Sequence, residues 1–191
     1  MGSRTNGEIE RWSPLRVWLY TLLRRNPKSN LAVIEHVAPG SGDRLLDVGC
    51  GAGAALEHAL ARGAEVAGID PSPAMVERSS RRVRQADIRV GSAEAIPFDE
   101  HRFNVLINIS SYHHWADQEA GLNEALRVLE PGGRLHIVEA KHKKKAGHGL
   151  TNEKAGQLRD RLLQLGYRTS SVDTIKAGRS EYLVVSAEAP D

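Results

Sequence analysis

The chain has 191 residues, 40% of them hydrophobic, and its 26 Lys and Arg against 24 Asp and Glu give a formal net charge of +2. This length can bury one sizeable core and favours a single domain. The nearly balanced charge gives no firm signal for a nucleic-acid partner. The single cysteine, Cys50, excludes an internal disulfide. With no apolar signal core and no early run long enough to cross a bilayer, the chain is predicted to be cytoplasmic.

Residues 12–25 are the first segment with a helical pattern. Apolar side chains, among them Trp18, recur there at helical spacing, and several arginines lie between them. The pattern predicts either a helix packed on the rest of the domain or an interfacial membrane helix.

Short β-like runs alternate with longer helix-like segments through the rest of the chain. The runs lie at residues 44–48, 65–69, 88–90, 104–109, 134–139, 167–175 and 182–187. This alternation predicts βαβ units around a parallel sheet. Ser72 and Pro73 predict a helix start, and residues 131–133, Pro-Gly-Gly, predict a helix end. Residues 177–180 are too few for a crossover, so the last two runs should pair antiparallel.

Three glycines, Gly49, Gly51 and Gly53, follow the first run and precede a helix. Glycine lets the chain turn sharply and lets a ligand lie against the main chain, while a helix N-terminus offers free N–H groups. Asp70 ends the next run, where a carboxylate can accept hydrogen bonds from ribose hydroxyls. These features predict a nucleotide-like ligand, and the glycines alone also fit an NAD-binding domain.

Five ordered segments resemble the motifs of class I S-adenosylmethionine-dependent methyltransferases, namely residues 45–53, 67–79, 91–98, 104–115 and 124–140. The likeness is closest to the subfamily acting on small molecules, quinone precursors and lipids. It implies an α/β, three-layer Rossmann-like fold with a seven-stranded, mostly parallel sheet and an antiparallel last strand. It also implies S-adenosyl-L-methionine as cofactor and a small-molecule or lipid-like acceptor.

The resemblance also implies which residues bind the cofactor. Asp47 would help to hold the glycine turn under the methionine portion, and Asp70 would bind the ribose. Ser92 stands where many relatives carry Asp, and its hydroxyl would accept from the adenine amine more weakly than a carboxylate. The implied cofactor set is Asp47, Gly49, Gly51, Gly53, Asp70, Pro71, Met75, Ser92, Ala93, Glu94 and Asn108, with Met75 and residues 92–94 near the adenine and Asn108 beneath the sulfonium.

His113 and His114 are the candidate catalytic residues. They follow the fourth strand at its carboxyl end, where open α/β sheets bind ligands. An imidazole there can take a proton from the acceptor, or the histidines can simply form the pocket wall. A metal site is disfavoured, because the pair lacks a clear third ligand. Tyr112 and Trp115 flank the pair and are predicted acceptor contacts.

In this family a helix before the domain often covers the cofactor mouth. The resemblance thus implies a helical lid over residues 1–30, with Trp18 and Tyr20 contacting the acceptor, and a methyltransferase domain over residues 31–191. Residues 141–145, KHKKK, could attract an acidic substrate, RNA or anionic lipid, or form a solvated loop. The oligomeric state is not predicted.

Two other functions remain open from the sequence. One is a cofactor-binding partner or sensor module without catalysis. The other is a nicotinamide-dependent oxidoreductase, against which the sequence offers no tyrosine followed four positions later by lysine.

Overall fold

The computed structural model describes residues 27–142 and 149–191. The predicted helix at residues 12–25, with Trp18 and Tyr20, lies outside the described residues. So do residues 143–145 of the basic run.

Helices and strands alternate along the described chain. The helices are α1 (Pro27–Val37), α2 (Ala54–Ala61), α3 (Pro73–Arg82), α4 (Gln118–Val128) and α5 (Asn152–Gln164), with a 3₁₀ turn at Tyr112–His114. The strands are β1 (Arg44–Val48), β2 (Glu65–Asp70), β3 (Asp87–Val90), β4 (Phe103–Ile109), β5 (Leu129–Ala140), β6 (Thr169–Ala177) and β7 (Ser180–Glu188).

The strands form a seven-stranded sheet in the order β3-β2-β1-β4-β5-β7-β6. The first five strands, β1 to β5, pair in parallel with their neighbours in this order, whereas β7 pairs antiparallel with both β5 and β6. The short connection between Ala177 and Ser180 closes the β6–β7 hairpin, as its length requires. The predicted fold, a mostly parallel sheet whose last strand is antiparallel, is confirmed.

Helices cover both faces of the sheet and bury its apolar side chains. Leu122 of α4 and Leu162 of α5 belong to one hydrophobic cluster, and Ile34 of α1 and Leu56 of α2 belong to the other. Each of these four side chains is at most 1% exposed. Helix α1 crosses the predicted domain boundary at residue 30, and its buried apolar side chains make it part of the core.

The chain around residues 131–133 differs from its predicted structure. Helix α4 ends at Val128, and β5 begins at once with Leu129, which pairs with Phe103. Gly132 has φ +71°, and the pairing register shifts here, with Val105 next opposite Arg134. Pro-Gly-Gly therefore forms a bulge inside the strand, not the loop between helix and strand that its residue types predict.

Candidate active site

The predicted site residues gather at the carboxyl ends of three neighbouring strands. Asp47 lies near the end of β1, Asp70 ends β2, and Asn108 lies near the end of β4. Strand β1 stands between β2 and β4 and pairs in parallel with both. The chain therefore reverses its direction of winding at β1, which is where open α/β sheets bind ligands.

The glycine turn is fastened to β2 by its main chain. The amides of Gly49 and Cys50 both donate to the carbonyl of Ile69, at 2.8 and 2.9 Å. Gly49, Gly51 and Gly53 have φ values of +81°, +52° and +75°, a region that favours glycine. The sequence prediction of a sharp turn at this point agrees with the observed backbone.

The three glycines face different surroundings. A Cβ at Gly49 would overlap the Ser111 hydroxyl, and a Cβ at Gly53 would overlap the Ser79 hydroxyl. A Cβ at Gly51 would meet nothing within 4 Å. Two glycines are therefore needed for close packing within the protein, and Gly51 leaves an open approach to the main chain for a ligand.

Asp70 ties the glycine turn to the start of α3. Its Oδ2 accepts from the Gly51 amide and its Oδ1 from the Ser72 amide, both at 2.9 Å. Burial raises the pKa of the Asp70 carboxyl, and the Ser72 and Gly51 hydrogen bonds oppose that rise. Each oxygen retains a second acceptor position, so the carboxylate can still receive ribose hydroxyls.

Three buried polar atoms at this edge have no hydrogen-bond partner among the described residues. They are Asp47 Oδ1, Ser72 Oγ and Asn108 Oδ1. Burial, with the nearby charge of Asp70, raises the pKa of Asp47 to about 8. An unpaired buried polar group costs about 1–3 kcal/mol. Because all three atoms are shielded from solvent, a ligand could pair with them only after a local shift of the surrounding side chains.

Asn108 is held by its amide nitrogen. Nδ2 donates to the Val48 carbonyl at 2.7 Å and to the Ser111 hydroxyl at 2.8 Å. The side chain is fully buried, so these bonds fix which atom is the acceptor. The oxygen of Asn108 has no partner among the described residues, and contact with the cofactor stays a prediction.

The predicted adenine segment follows β3. Ala93 is 5% exposed and Met75, in the first turn of α3, is 6% exposed, whereas Pro71 is exposed. Glu94 Oε1 accepts from the Ala116 amide at 2.7 Å and the Asp117 amide at 3.2 Å.

Burial raises the pKa of Glu94, but its hydrogen bonds outweigh burial and lower the pKa overall. Its carboxylate thus fixes the backbone of residues 116 and 117, which lead into α4. The sequence did not predict this role. Adenine contact at Ser92, Ala93 and Glu94 stays a prediction.

His113 is paired with a buried carboxylate. Its ring Nδ1 lies 2.9 Å from both Oε1 and Oε2 of Glu139, the penultimate residue of β5. The backbone amide of His113 donates to Oε1 at 3.3 Å. The Glu139 side chain is 1% exposed and the His113 side chain 18% exposed. The imidazole is therefore anchored, while part of its surface reaches the edge of the sheet.

The neighbours of His113 are placed differently from one another. His114 is exposed, and its ring centroid lies 4.0 Å from that of His113. Tyr112 is 7% exposed and packs edge-on against Trp115, with ring centroids 5.1 Å apart. Burial and the charge of Glu139 raise the pKa of Tyr112 to about 12. Tyr112 thus belongs mainly to the core, and acceptor contact by Tyr112 and Trp115 stays a prediction.

Three residues of this edge were not predicted from the sequence: Glu139, Ser111 and Ser79. Glu139 carries a signal that was available, since it lies at the carboxyl end of an apolar strand, as Asp47 and Asp70 do. Ser111 and Ser79 carry none, because only the folded backbone brings their hydroxyls against Gly49 and Gly53.

The described part of the chain offers neither a metal cluster nor a membrane-spanning helix. Within residues 27–142 and 149–191, no three His, Cys, Asp or Glu side chains come together as metal ligands. Over the same ranges, no helix combines the length and apolar character needed to cross a membrane.

Comparison with known proteins decides the family. Residues 46–137 match the family described as methyltransferase domain. An uncharacterised methyltransferase of Bacillus subtilis, YdaC, is 33% identical over 123 residues, which cover 62% of this chain and 68% of that protein. The chain belongs to the methyltransferase family. The resemblance noted in the sequence motifs is thereby confirmed.

Two other relatives are longer than this methyltransferase chain. An uncharacterised methyltransferase of Mycobacterium tuberculosis (strain H37Rv) is 32% identical over 115 residues, covering 60% of this chain and 47% of that protein. The 27-O-demethylrifamycin SV methyltransferase of Amycolatopsis mediterranei is 39% identical over 104 residues, covering 51% and 38%. The chain thus spans about half the length of these relatives or less.

A solved structure shows the same fold. The phosphoethanolamine N-methyltransferase 2 of Haemonchus contortus, in complex with S-adenosyl-L-methionine, superposes with a TM-score of 0.77 at 17% identity. The match covers 96% of this methyltransferase chain and 59% of that one. At this identity the comparison supports the fold.

Proposed function

We propose that this protein is a methyltransferase that uses S-adenosyl-L-methionine to methylate a small-molecule or lipid-like acceptor. The open approach to the main chain at Gly51, whose amide donates to the Asp70 carboxylate, carries the proposal. Family membership and the acceptor named for the rifamycin-type relative support it. A cytoplasmic location stays a prediction from the sequence.

The cofactor set is proposed residue by residue from the sequence motifs. Asp70 accepts the ribose hydroxyls, Asp47 helps to hold the glycine turn, and Asn108 lies beneath the sulfonium end. Met75 and the segment of Ser92, Ala93 and Glu94 border the adenine. The glycine main chain lies under the methionine portion because Gly51 has no side chain to obstruct it.

When bound, the cofactor supplies an electrophilic methyl group on a sulfonium, and the sulfur departs as a neutral leaving group. The protein's part is to position the acceptor in line and to exclude water. His113 receives the proton of an acceptor that must lose one, since an imidazole nitrogen can act as a general base. His114 is exposed and lies against His113, so it is the less favoured base.

Ligand-dependent thermal stability tests the cofactor assignment. A ligand at 100 times its dissociation constant stabilises the folded state by roughly 2.7 kcal/mol. For a domain of this size, that raises Tm by about 5–10 °C. S-adenosylmethionine and S-adenosylhomocysteine should raise Tm and NAD should not. A rise with NAD alone would contradict the proposal and favour an oxidoreductase.

Transfer of a labelled methyl group tests catalysis. Protein incubated with S-adenosylmethionine labelled on its methyl group should label a component of an acceptor panel that includes phenols, quinols and hydroxylated lipids. Stabilisation by the cofactor without transfer to any member would favour the binding module.

A further inference from the structure

A cleft of about 650 Å³ lies at the turn between β6 and β7. Its lining comes from the end of β5 and from the β6–β7 hairpin, namely residues 140–142, 176 and 178–182. We call it the hairpin cleft. Because β7 runs antiparallel to β5, the turn lies at the carboxyl edge of the parallel strands. The hairpin cleft therefore opens at the same edge as the glycine turn, and its lining includes none of the residues assigned to the cofactor.

The hairpin cleft carries an excess of positive charge. Three cationic side chains, Lys141, Lys176 and Arg179, and one carboxylate, Glu181, line it. The Nζ of Lys141 lies 3.5 Å from Oε2 of Glu181. Among the described residues, Lys176 and Arg179 have no ion-pair partner. Since the charge of the whole chain is nearly balanced, the excess of cations is a local feature of this cleft.

A fourth cationic side chain reaches the same turn from α1. Lys28 is exposed, and its Cδ lies 3.8 Å from the position of a Cβ at Gly178. Side chains of like charge repel one another when they gather at one turn, so their convergence does not stabilise the fold. An anion bound between them would replace that repulsion by attraction.

The cations of the hairpin cleft share a face of the sheet with Glu139. Lys176 pairs with Glu181 across β6 and β7, and the Lys141 amide donates to the Glu181 carbonyl at 2.9 Å. Lys141 comes two residues after Glu139, and alternate residues of an extended chain point to one face. Glu139 in turn contacts His113, beside which the acceptor is proposed to bind. The cleft thus begins on the order of 7 Å along the chain from Glu139.

We propose that the hairpin cleft binds an anionic group of the methyl acceptor, a phosphate or a carboxylate. This proposal rests on the proposed function. The guanidinium of Arg179 can donate two parallel hydrogen bonds to such a group, and the ammonium of Lys176 supplies a further donor. Lys141 can join them, because its 3.5 Å contact with Glu181 is longer than an ordinary hydrogen bond.

The proposal narrows the acceptor class. The anionic group and the reacting atom of the acceptor should lie on the order of 7 Å or more apart, since the cleft begins two residues beyond Glu139. A soluble aromatic acid with a short side chain and a lipid with an anionic headgroup both meet this requirement. Neutral acceptors of the same size leave the cations unpaired and should bind more weakly.

Binding of phenyl phosphate tests the cleft itself. Phenyl phosphate is titrated into ¹⁵N-labelled protein saturated with S-adenosylhomocysteine, and the amide shifts are followed by NMR. The amides of residues 140–142 and 176–182 should move saturably, and those of the glycine turn should not. The cleft residues should respond in the same way without S-adenosylhomocysteine. Failure to bind S-adenosylhomocysteine would therefore overturn the proposed function, whereas the phosphate titration decides the cleft.

Charge variants identify the groups that hold the anion. Lys176→Gln and Arg179→Gln should each weaken phenyl phosphate binding about fivefold. Glu181→Gln should strengthen it, because a carboxylate that competes for Lys141 is removed. Arg84→Gln is the matched control. Arg84 is exposed and follows α3 at the opposite edge of the sheet, so its replacement removes one positive charge and should leave the affinity unchanged.

Three results would overturn the proposal. One is the absence of saturable shifts at the hairpin cleft. The second is an affinity in Lys176→Gln and Arg179→Gln no lower than in Arg84→Gln. The third is a loss of affinity confined to a variant with glutamine at residues 143–145, which would assign the anion to the basic run and not to the cleft.

Turnover and vesicle binding distinguish the two sources of the anion. For a soluble acceptor, 4-hydroxyphenylpropionate should have a KM about fivefold below that of its primary amide in the labelled-methyl assay, and Arg179→Gln should abolish the difference. For a lipid acceptor, wild type should cosediment with vesicles of phosphatidylcholine and phosphatidylglycerol but not of phosphatidylcholine alone, and Arg179→Gln should cosediment less. Neither preference in wild type would overturn the assignment of the cleft to the acceptor.

Discussion

Replacing Gly51 by alanine separates the folding role of the glycine turn from its ligand-binding role. Gly51 has φ +52°, close to the left-handed region that an alanine can occupy, and its added Cβ would meet nothing within 4 Å. The conformational cost is about 1 kcal/mol. For a domain of this size that corresponds to a Tm about 2–4 °C lower. The variant should therefore fold.

The same methyl group would occupy the space assigned to the cofactor. We expect the affinity for S-adenosylhomocysteine to fall at least tenfold, a loss of about 1.4 kcal/mol or more. Titration calorimetry measures this loss, and thermal unfolding without ligand measures the stability.

Gly178→Ala is the matched control. Gly178 has φ +64° and only an ordinary contact for a Cβ, with Lys28 Cδ at 3.8 Å. It lies in the β6–β7 turn, so it should lose similar stability and no affinity. Normal affinity of folded Gly51→Ala would refute the argument that the ligand lies against this main chain.

Three further predictions concern the same edge of the sheet. Asp70→Asn should weaken S-adenosylhomocysteine binding by about tenfold to a hundredfold in calorimetry, because hydrogen bonds to a charged group contribute about 1.5–3 kcal/mol; unchanged affinity would exclude the ribose contact. Gly53→Ala should lower the free energy of unfolding in urea by about 2–4 kcal/mol through overpacking against Ser79 and a positive φ. Ser79→Ala in the same chain should recover part of that loss, and no recovery would mean that the overlap is not the cause. In the native protein Asp47 has a pKa of about 8 and keeps its proton up to that pH, whereas in the unfolded chain its pKa is near 3.8. Wild-type stability should thus fall relative to Asp47→Asn by about 1.4 kcal/mol per pH unit as pH rises from 4 to 8. Unfolding free energies measured across that window check this, and a constant difference would show that Asp47 titrates normally.

The sheet was largely predictable because its signals are local. Continuous apolar runs mark strands covered on both faces, and a connection too short for a crossover sets the antiparallel hairpin. The start of β5 was not predictable in this way. Residues 131–133 have the composition of a turn, and only the pairing of Leu129 with Phe103 across the sheet makes them part of a strand.

The position of the candidate site at the carboxyl ends of the strands was predictable, but not the contacts within it. Asp70 was expected to bind ribose, and the structure adds that it holds the Gly51 amide. The contact between His113 and Glu139 depends on the register of β4 beside β5, which brings together residues 26 positions apart. Glu94 is predicted to border the adenine, and the structure adds that its carboxylate accepts from the amides of Ala116 and Asp117 before α4. Strand register and side-chain direction depend on tertiary structure, so local sequence patterns do not predict them.

Cys50 provides a built-in probe of how often the glycine turn opens. It is the sole cysteine of the sequence and is 7% exposed, with Sγ 4.0 Å from the Ser79 hydroxyl. Burial, and then the charges of Asp47 and Asp70, raise the pKa of its thiol well above 9.0. A maleimide or disulfide reagent can therefore react only with molecules in which this segment has transiently separated from β2. The labelling rate reports the frequency of that event, without any introduced dye or mutation.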